Sequence, residues 1–547
     1  MNMIFLLAPM GICLNYLWMV VVYLVLTYYR TKAAVVVQLI LSVFIGALNY
    51  FVTLFRDSPI LPWDIYSIKL ATEVAGGYSF TPTREMLVAI FVLLFVSIIF
   101  LKGRKIKYNW KHHLVLILIT VIGIIGYAKY FYGTDVLDRN RIWINSWDQK
   151  DGYRTNGILV GFMQNLENII IEKPANYSAT KVEELLTEEN TITSNSSMDK
   201  KPNVIVIMNE SFVDYSAFGD LQTGEDITPF LHSLKENTIS GQALVSTFGG
   251  GTSRSEFEFL TGLSMAFLPS GTTPYQQYIF EEKNSLASIL KAEGYETVAM
   301  HPYGKSGWNR EKIYPLLGFD EFIGLEDMTG IENYRAYASD FSNYEQVINR
   351  YEERDGNIFI FNITMQNHGG YNEEFENFTV DVNSGVSNDY AFNQYLSLVK
   401  KSDEALEYLI RYFERQEEPV IICFFGDHHP GIYEPVDELL KDNYTEMEQQ
   451  IIRYMTPFFI WANYDIQEEE VPLTSLNYLS SMLLRESGLE LPEYNQFLLR
   501  TLEGMPAISG IGFVDNNLIM HTLDDESNEL KNNYEILQYY YLFDNKK

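Results

Sequence analysis

Four apolar stretches open the chain, at residues 3–29, 33–55, 86–101 and 113–132, each near the length a helix needs to cross a bilayer. They predict an N-terminal membrane domain of about four helices over residues 1–132. Pro9 and Gly11 fall in the first stretch, which is too short to cross twice and which they are placed to kink. Beyond residue 132 the pattern breaks up. Residues 133–201 read as a connector, with a short helix at 156–162 lying along the membrane and a solvated linker at 187–201, rich in Glu, Asn, Ser and Thr. From Pro202, short apolar runs alternate with amphipathic ones. Strands are predicted at 204–208, 297–300, 357–365, 420–425 and 457–461, and helices at 228–235, 285–293 and 389–416. Such alternation implies an α/β domain, over 202–490, with a mainly parallel sheet covered by helices on both faces. Residues 491–547, ending in Tyr539-Tyr540-Tyr541, read as a smaller C-terminal subdomain.

Charge divides the chain at the same place. The first 132 residues carry 11 basic and 4 acidic side chains, and the remainder 29 and 67. An acidic exterior argues against a nucleic-acid partner, which needs clustered Lys and Arg, and suits attraction of divalent cations. Arg30 and Lys32 sit in the first turn between spans, and Lys102, Arg104, Lys105, Lys107 and Lys111 in the third. The positive-inside rule assigns both to the cytoplasm, so the part beyond residue 132 lies outside the cell. Neither the basic start nor the small-residue cleavage site of a secretory signal peptide is present. Cys13 and Cys423 are the two cysteines, one in a span and one in a predicted core strand, which leaves no intramolecular disulfide to expect. An exported domain without disulfides points to the cell membrane of a single-membrane bacterium.

Three polar clusters carry the chemistry: Asn209-Glu210-Ser211, Gly249-Gly250-Gly251-Thr252-Ser253-Arg254-Ser255-Glu256 and Gly426-Asp427-His428-His429. The first and last follow fully apolar strands, and in open α/β sheets ligands bind beyond the carboxyl ends of such strands. Three glycines ahead of Thr252 permit a tight turn, and a predicted helix at 255–263 sets Thr252 near a helix N-terminus, where a phosphate is favoured. A threonine hydroxyl needs a base or a metal to become a nucleophile. Asp427, His428, Glu210 and the Thr252 oxygen make a four-coordinate set for a divalent ion. Arg254 could contact phosphate, and His429 could support the site or touch substrate. A second group, His301, Trp308 and Arg310, offers a bidentate phosphate clamp in Arg310 and an apolar face for glycerol or sugar in Trp308. His368 follows another predicted strand and could stabilise a leaving oxygen or act as general acid.

In this order the clusters resemble the lipoteichoic acid synthase and phosphoglycerol transferase family, most specifically at Gly251-Thr252-Ser253-Arg254-Ser255-Glu256-Phe257, Trp308-Asn309-Arg310 and Gly426-Asp427-His428. The resemblance implies a multi-span anchor joined to an extracellular sulfatase-like (alkaline-phosphatase-like) domain. It implies one manganese ion, with Mg2+ or Zn2+ as substitutes, held by Glu210, Thr252, Asp427 and His428, and substrate contacts from His301, Trp308, Arg310 and His368. The implied reaction moves glycerophosphate from phosphatidylglycerol, through a covalent phospho-threonine at Thr252, to a glycolipid, teichoic acid or other glycan. The chain departs from that pattern in having one span fewer than the best-known synthases. It also has Gly251 and Arg254 where they carry a Lys before the nucleophile and an Asp two residues after it, which fits a priming or glycan-decorating role as well as polymer synthesis.

Rival readings are weaker. A sulfatase activity needs a Cys or Ser converted to formylglycine, which Thr252 cannot supply, and alkaline-phosphatase chemistry needs ligands for two metals. A phosphoethanolamine transferase shares the fold and a Thr nucleophile but is often disulfide-rich outside. A non-catalytic wall-binding protein would be expected to have lost a metal ligand, and a transporter to carry ionisable residues within its spans, where this chain has few.

Overall fold

The computed structural model describes residues 9–27, 31–56, 59–62, 64, 81–102, 110–140, 142, 149–167, 171–187, 200–269 and 271–544. Arg30, Arg104, Lys105 and Lys107 of the basic loops, most of the 57–80 loop and linker residues 188–199 lie outside them. The chain forms two compact units, Met1–Ile171 and Glu172–Lys547.

In the first unit the four apolar stretches are helices α1 (Pro9–Thr27), α2 (Thr31–Arg56), α3 (Arg84–Lys102) and α4 (Trp110–Tyr132). All four are long and apolar enough to cross a membrane, and large side chains such as Phe44 and Phe91 point outward, as lipid-facing helices require. The chain is a multi-pass membrane protein. The short helix expected at 156–162 spans Ile158–Glu167 and packs against α1. Asn15 makes that contact specific: its amide donates to the Asn156 carbonyl at 2.7 Å, and its Oδ1 accepts from the Leu159 N–H at 3.1 Å. The front of the connector is therefore built into this unit.

The second unit is organised by eight strands: β1 (Asn203–Asn209), β2 (Thr238–Leu244), β3 (Glu296–His301), β4 (Glu321–Gly324), β5 (Ile358–Ile363), β6 (Val420–Gly426), β7 (Met455–Ala462) and β8 (Glu469–Ser475). Their order in the sheet is β8-β2-β7-β6-β1-β5-β3-β4. Every pairing is parallel except those of β7, which runs antiparallel between β2 and β6. A run such as Val204–Met208 is apolar at every position because both faces are covered. Val204, Val206 and Met208 enter one core, and Ile205 and Ile207 the other.

The C-terminal residues pack onto the same core. Tyr494 and Tyr534 both donate to the carbonyl of Gly262, at 2.8 and 2.6 Å, capping the helix Thr252–Thr261. Inside that helix Glu258 is fully buried. Its Oε1 accepts from Ser246, Ser264 and the Met265 N–H, while Oε2 has no partner among the described residues. Burial pushes this carboxyl up to about 7. A carboxyl whose folded pKa is raised holds its proton better folded than unfolded, so stability falls as pH climbs from about 4.5 through 7. The expected loss is on the order of 3 kcal/mol. Glu258→Gln, neutral throughout, flattens that slope; thermal unfolding between pH 5 and 8 with an unchanged slope would refute the assignment.

Candidate active site

β1 and β6 pair in parallel with Asn209 beside Gly426, so Glu210 and Asp427 leave the sheet side by side. Ser211 then turns through a left-handed φ of 49°. Its N–H donates to Asp427 Oδ1 at 2.7 Å and its hydroxyl to Glu210 Oε1 at 3.0 Å. Glu210, Asp427 and His428 are all buried, and each brings a ligand atom within 4.8 Å of the other two. The carbonyl of His429 accepts from His428 Nδ1 at 2.9 Å, which turns Nε2 toward the carboxylates. Nε2 lies 3.3 Å from Asp427 Oδ2 and 3.8 Å from Glu210 Oε1.

Among the described residues, neither Asp427 Oδ2 nor His428 Nε2 has a hydrogen-bond partner. Buried polar atoms left unpaired are costly, and these two face each other. Burial pushes the Asp427 carboxyl up to about 7, against the pull of His428 and with Glu210 adding to the rise. A divalent cation held by these three groups would remove this penalty. The donor set, two carboxylate oxygens and an imidazole nitrogen, fits such an ion.

Thr252 completes the site from the other side. Gly249, Gly250 and Gly251 all have positive φ (69°, 147° and 99°), and Thr252 is the first residue of its helix. A Cβ on Gly251 would stand 2.6 Å from Thr247 Oγ1, so this backbone is reserved for glycine. Thr252 Oγ1 donates to Glu210 Oε2 at 3.4 Å, and Ser255 Oγ donates to the Asp427 carbonyl at 2.7 Å. The His429 carbonyl also accepts from the Gly249 N–H at 2.9 Å, so one oxygen joins the glycine turn to the ligand histidine.

The remaining expected site residues are arranged as follows. His429 is buried with both ring nitrogens engaged, Nε2 donating to the Met455 carbonyl and Nδ1 accepting from Tyr215. Burial holds it down to about 3, so the ring is neutral and bonded only to the protein interior. Arg254 donates to the Thr272 carbonyl at 2.8 Å, close beside Gly251. Arg310 is 2% exposed and grips Glu256, Nε donating to both carboxylate oxygens at 3.0 and 3.2 Å and Nη2 adding a third bond. Tyr314 donates to Glu256 Oε2 as well. The bidentate clamp foreseen for phosphate is thus spent largely on an internal carboxylate. His301 is buried at the end of β3, its Nδ1 donating to the Ile363 carbonyl; burial, then Arg310 and His368, hold it well below the usual histidine range. Trp308 and Asn309 are left-handed (φ 53° and 65°), and His368 is exposed on the turn after β5. The cluster Asn209-Glu210-Ser211 gives no role for Asn209 or Ser211, and nothing in the sequence marks Thr364, whose hydroxyl accepts from the Glu210 N–H, or Asp340, Asn367 and Ser402, which join Asn209 in a buried network beneath the site. Asn209 directly ahead of Glu210 was the available signal.

Residues 202–488, about half of the chain, match the family model described as Sulfatase. The chain belongs to the sulfatase family. It is 30% identical over 391 residues to a putative cyclic beta-1,2-glucan modification protein of Rhizobium meliloti (strain 1021), covering 70% of this chain and 60% of that protein. It is 28% identical over 264 residues to lipoteichoic acid synthase 1 of Bacillus subtilis (strain 168), covering 44% of this chain and 38% of that protein. The chain thus spans less than two thirds of the length of these relatives. Among solved structures, Streptococcus pyogenes phosphoglycerol transferase GacH in complex with sn-glycerol-1-phosphate aligns with a TM-score of 0.55 and 23% identity, covering 68% of this chain and 95% of that one. That alignment establishes the fold: a mainly parallel sheet of the alkaline-phosphatase and sulfatase type.

Proposed function

We propose that this chain is a membrane-anchored, metal-dependent phosphoglycerol transferase with Thr252 as nucleophile. The observation that carries the reading is a glycine-cradled hydroxyl, at a helix N-terminus, directed at a buried Glu210–Asp427–His428 cluster with two unpartnered ligand atoms. Residues 202–490 are its catalytic part, 491–547 a supporting subdomain and 1–132 the anchor, joined through 133–201. Glu210, Thr252, Asp427 and His428 would hold one divalent ion, Mn2+ first and Mg2+ or Zn2+ in its place. When bound, that ion supplies a Lewis acid that lowers the pKa of a ligating hydroxyl and offsets charge on a phosphate.

The side chains do the rest. Thr252 Oγ forms a bond to phosphorus as its proton passes to Glu210, to which it already donates. The phosphorus–oxygen bond to diacylglycerol breaks, and the leaving oxygen takes a proton from His368 acting as general acid. Trp308, His301 and the Arg310–Glu256 pair border the glycerophosphate. An acceptor hydroxyl, giving its proton to His368, then attacks phosphorus; the phosphorus–oxygen bond to Thr252 breaks and Thr252 Oγ takes its proton back from Glu210. The donor is phosphatidylglycerol. The relatives named for glucan modification and lipoteichoic acid synthesis support a glycolipid or glycan acceptor. The purified protein with Mn2+ and labelled phosphatidylglycerol is expected to release diacylglycerol. No release with metal bound would give the reaction to a phosphoethanolamine or other head-group donor instead, and failure to bind metal would overturn the reading in favour of a wall-binding role.

The catalytic part faces the cell exterior, a reading supported by Lys102 and Lys111 flanking the α3–α4 turn. Protease added to intact cells is expected to remove the second unit; its full protection would reverse the topology.

A further inference from the structure

Arg335 is a buried cation with no part in the site as described so far. It lies between Asn333–Tyr334 and Tyr337–Ala338, two short antiparallel strands, at a left-handed φ of 55° and with 5% of its surface exposed. That backbone is costly for any residue other than glycine and persists only where surrounding structure enforces it. The enforcement is visible: Asn377 Nδ2 donates to the carbonyls of Asn333 and Arg335, both at 3.0 Å, and the Ser339 N–H closes the hairpin onto Glu332 at 2.8 Å. Buried guanidinium groups are ordinarily paired with carboxylates, as Arg310 is with Glu256. Among the described residues, no carboxylate pairs with Arg335. Its Nη2 donates instead to the carbonyls of Gln366 and His368, at 3.0 and 2.6 Å, and Nε has no partner. The guanidinium carbon lies 5.6 Å from the centre of the Tyr337 ring and 5.2 Å from that of Tyr371.

The Arg335 guanidinium meets Gln366, His368 and Tyr371 of the turn that carries His368, and Tyr337, whose ring lies beside the His368 ring. The base of the turn is fixed from below, with Gln366 Nε2 donating to the Leu398 carbonyl at 3.0 Å and Asn367 Nδ2 to Asn209 Oδ1 at 3.1 Å. His368 is held from the other side: its carbonyl accepts from Arg335, and its ring lies 4.9 Å from the Tyr337 ring, which the guanidinium also touches. We propose that Arg335 is a positioning residue that fixes the His368 imidazole at the site edge, through the His368 carbonyl and the Tyr337 ring. The inference rests on the proposed function only in giving His368 a part in transfer.

The test has two readouts on the full chain in detergent. Hydrogen exchange needs no donor: in Arg335→Met and Arg335→Lys, peptides covering 366–371 are expected to exchange faster, with β1 and β6 unchanged. In diacylglycerol release, Arg335→Met is expected to lower kcat by roughly 10- to 100-fold with KM within about twofold, since a displaced catalytic group costs on that scale. Arg335→Lys, which keeps the charge and reaches fewer carbonyls, is expected to recover part of it. In a His368→Gln background the same Arg335 change should cost nothing further, whereas a general loss of stability would cost the same in both. Undiminished additivity in that background, wild-type kcat in Arg335→Met, or unchanged exchange at 366–371 would each overturn the proposal. Should Arg335→Met fail to fold, Arg335→Lys carries both readouts. If the wild type transfers from no lipid, the functional reading fails, and exchange alone decides whether Arg335 holds the turn.

Discussion

Thr252→Ala is expected to abolish diacylglycerol release, by roughly 10³-fold or more, while the protein remains folded. The separation of the two effects follows from the geometry. Thr252 is 7% exposed, and its hydroxyl makes one long bond, 3.4 Å to Glu210, whose loss costs about 1 kcal/mol. The glycine turn that presents it is built from backbone and survives the change. Thr252→Ser keeps a hydroxyl in the same place and is expected to retain measurable turnover. With slow acceptor, mass spectrometry of the wild type should find a glycerophosphate adduct on the peptide containing Thr252 and none in Thr252→Ala. Full activity in Thr252→Ala, or an adduct on Ser253 or Ser255, would remove Thr252 from its assigned role.

The second large effect concerns Asp427. Adding Mn2+ is expected to raise the melting temperature of wild-type protein, because the ion binds the folded state alone; at about 100 times Kd it contributes about 2.7 kcal/mol. Chelation should remove both that increment and the activity. Asp427→Asn is expected to erase the response to metal and yet to melt higher than metal-free wild type. The Asn oxygen can still accept from the Ser211 N–H, while its amide supplies a donor to the unpartnered His428 Nε2 and relieves the repulsion from Glu210. A melting curve for Asp427→Asn that responds to Mn2+ as the wild type does would exclude Asp427 as a ligand.

Much of this architecture was legible in the chain because its signals are local. Parallel strands buried on both faces read as unbroken apolar runs, and membrane helices as longer ones, so β1, β3, β5, β6 and α1–α4 stood out. The clusters at their ends were visible because a polar group after a buried run has no packing explanation. β2, β4 and β8 went unread: β2 carries Ser240, Gly241 and Gln242 at its centre, and β8 begins with two glutamates. Nor did periodicity reveal that β7 runs antiparallel, since direction is set by tertiary pairing. Arg310 shows the same limit within the site. An arginine in a polar cluster reads as a phosphate clamp until its partner Glu256, 54 residues earlier, is seen beside it. The roles of Ser211, which stands in a polar cluster, and of Arg335, which stands in none, could not be read because they lie in left-handed backbone that only the fold imposes.

The strand order also governs when the molecule can begin to work. Ser211 and Asp427, which share a hydrogen bond in the site, are 216 residues apart in sequence. β2, which leads into the glycine turn and Thr252, reaches the rest of the sheet only through β7. A chain delivered N-terminus first must therefore wait until Ala462 has arrived before its nucleophile meets its ligands. Closing such distant pairings is slow, and an interrupted chain that ends before β6 has the glycine turn and Thr252 but neither Asp427 nor His428. On the proposed reading the order of assembly is itself a safeguard: nascent and broken copies would leave the surrounding lipid untouched.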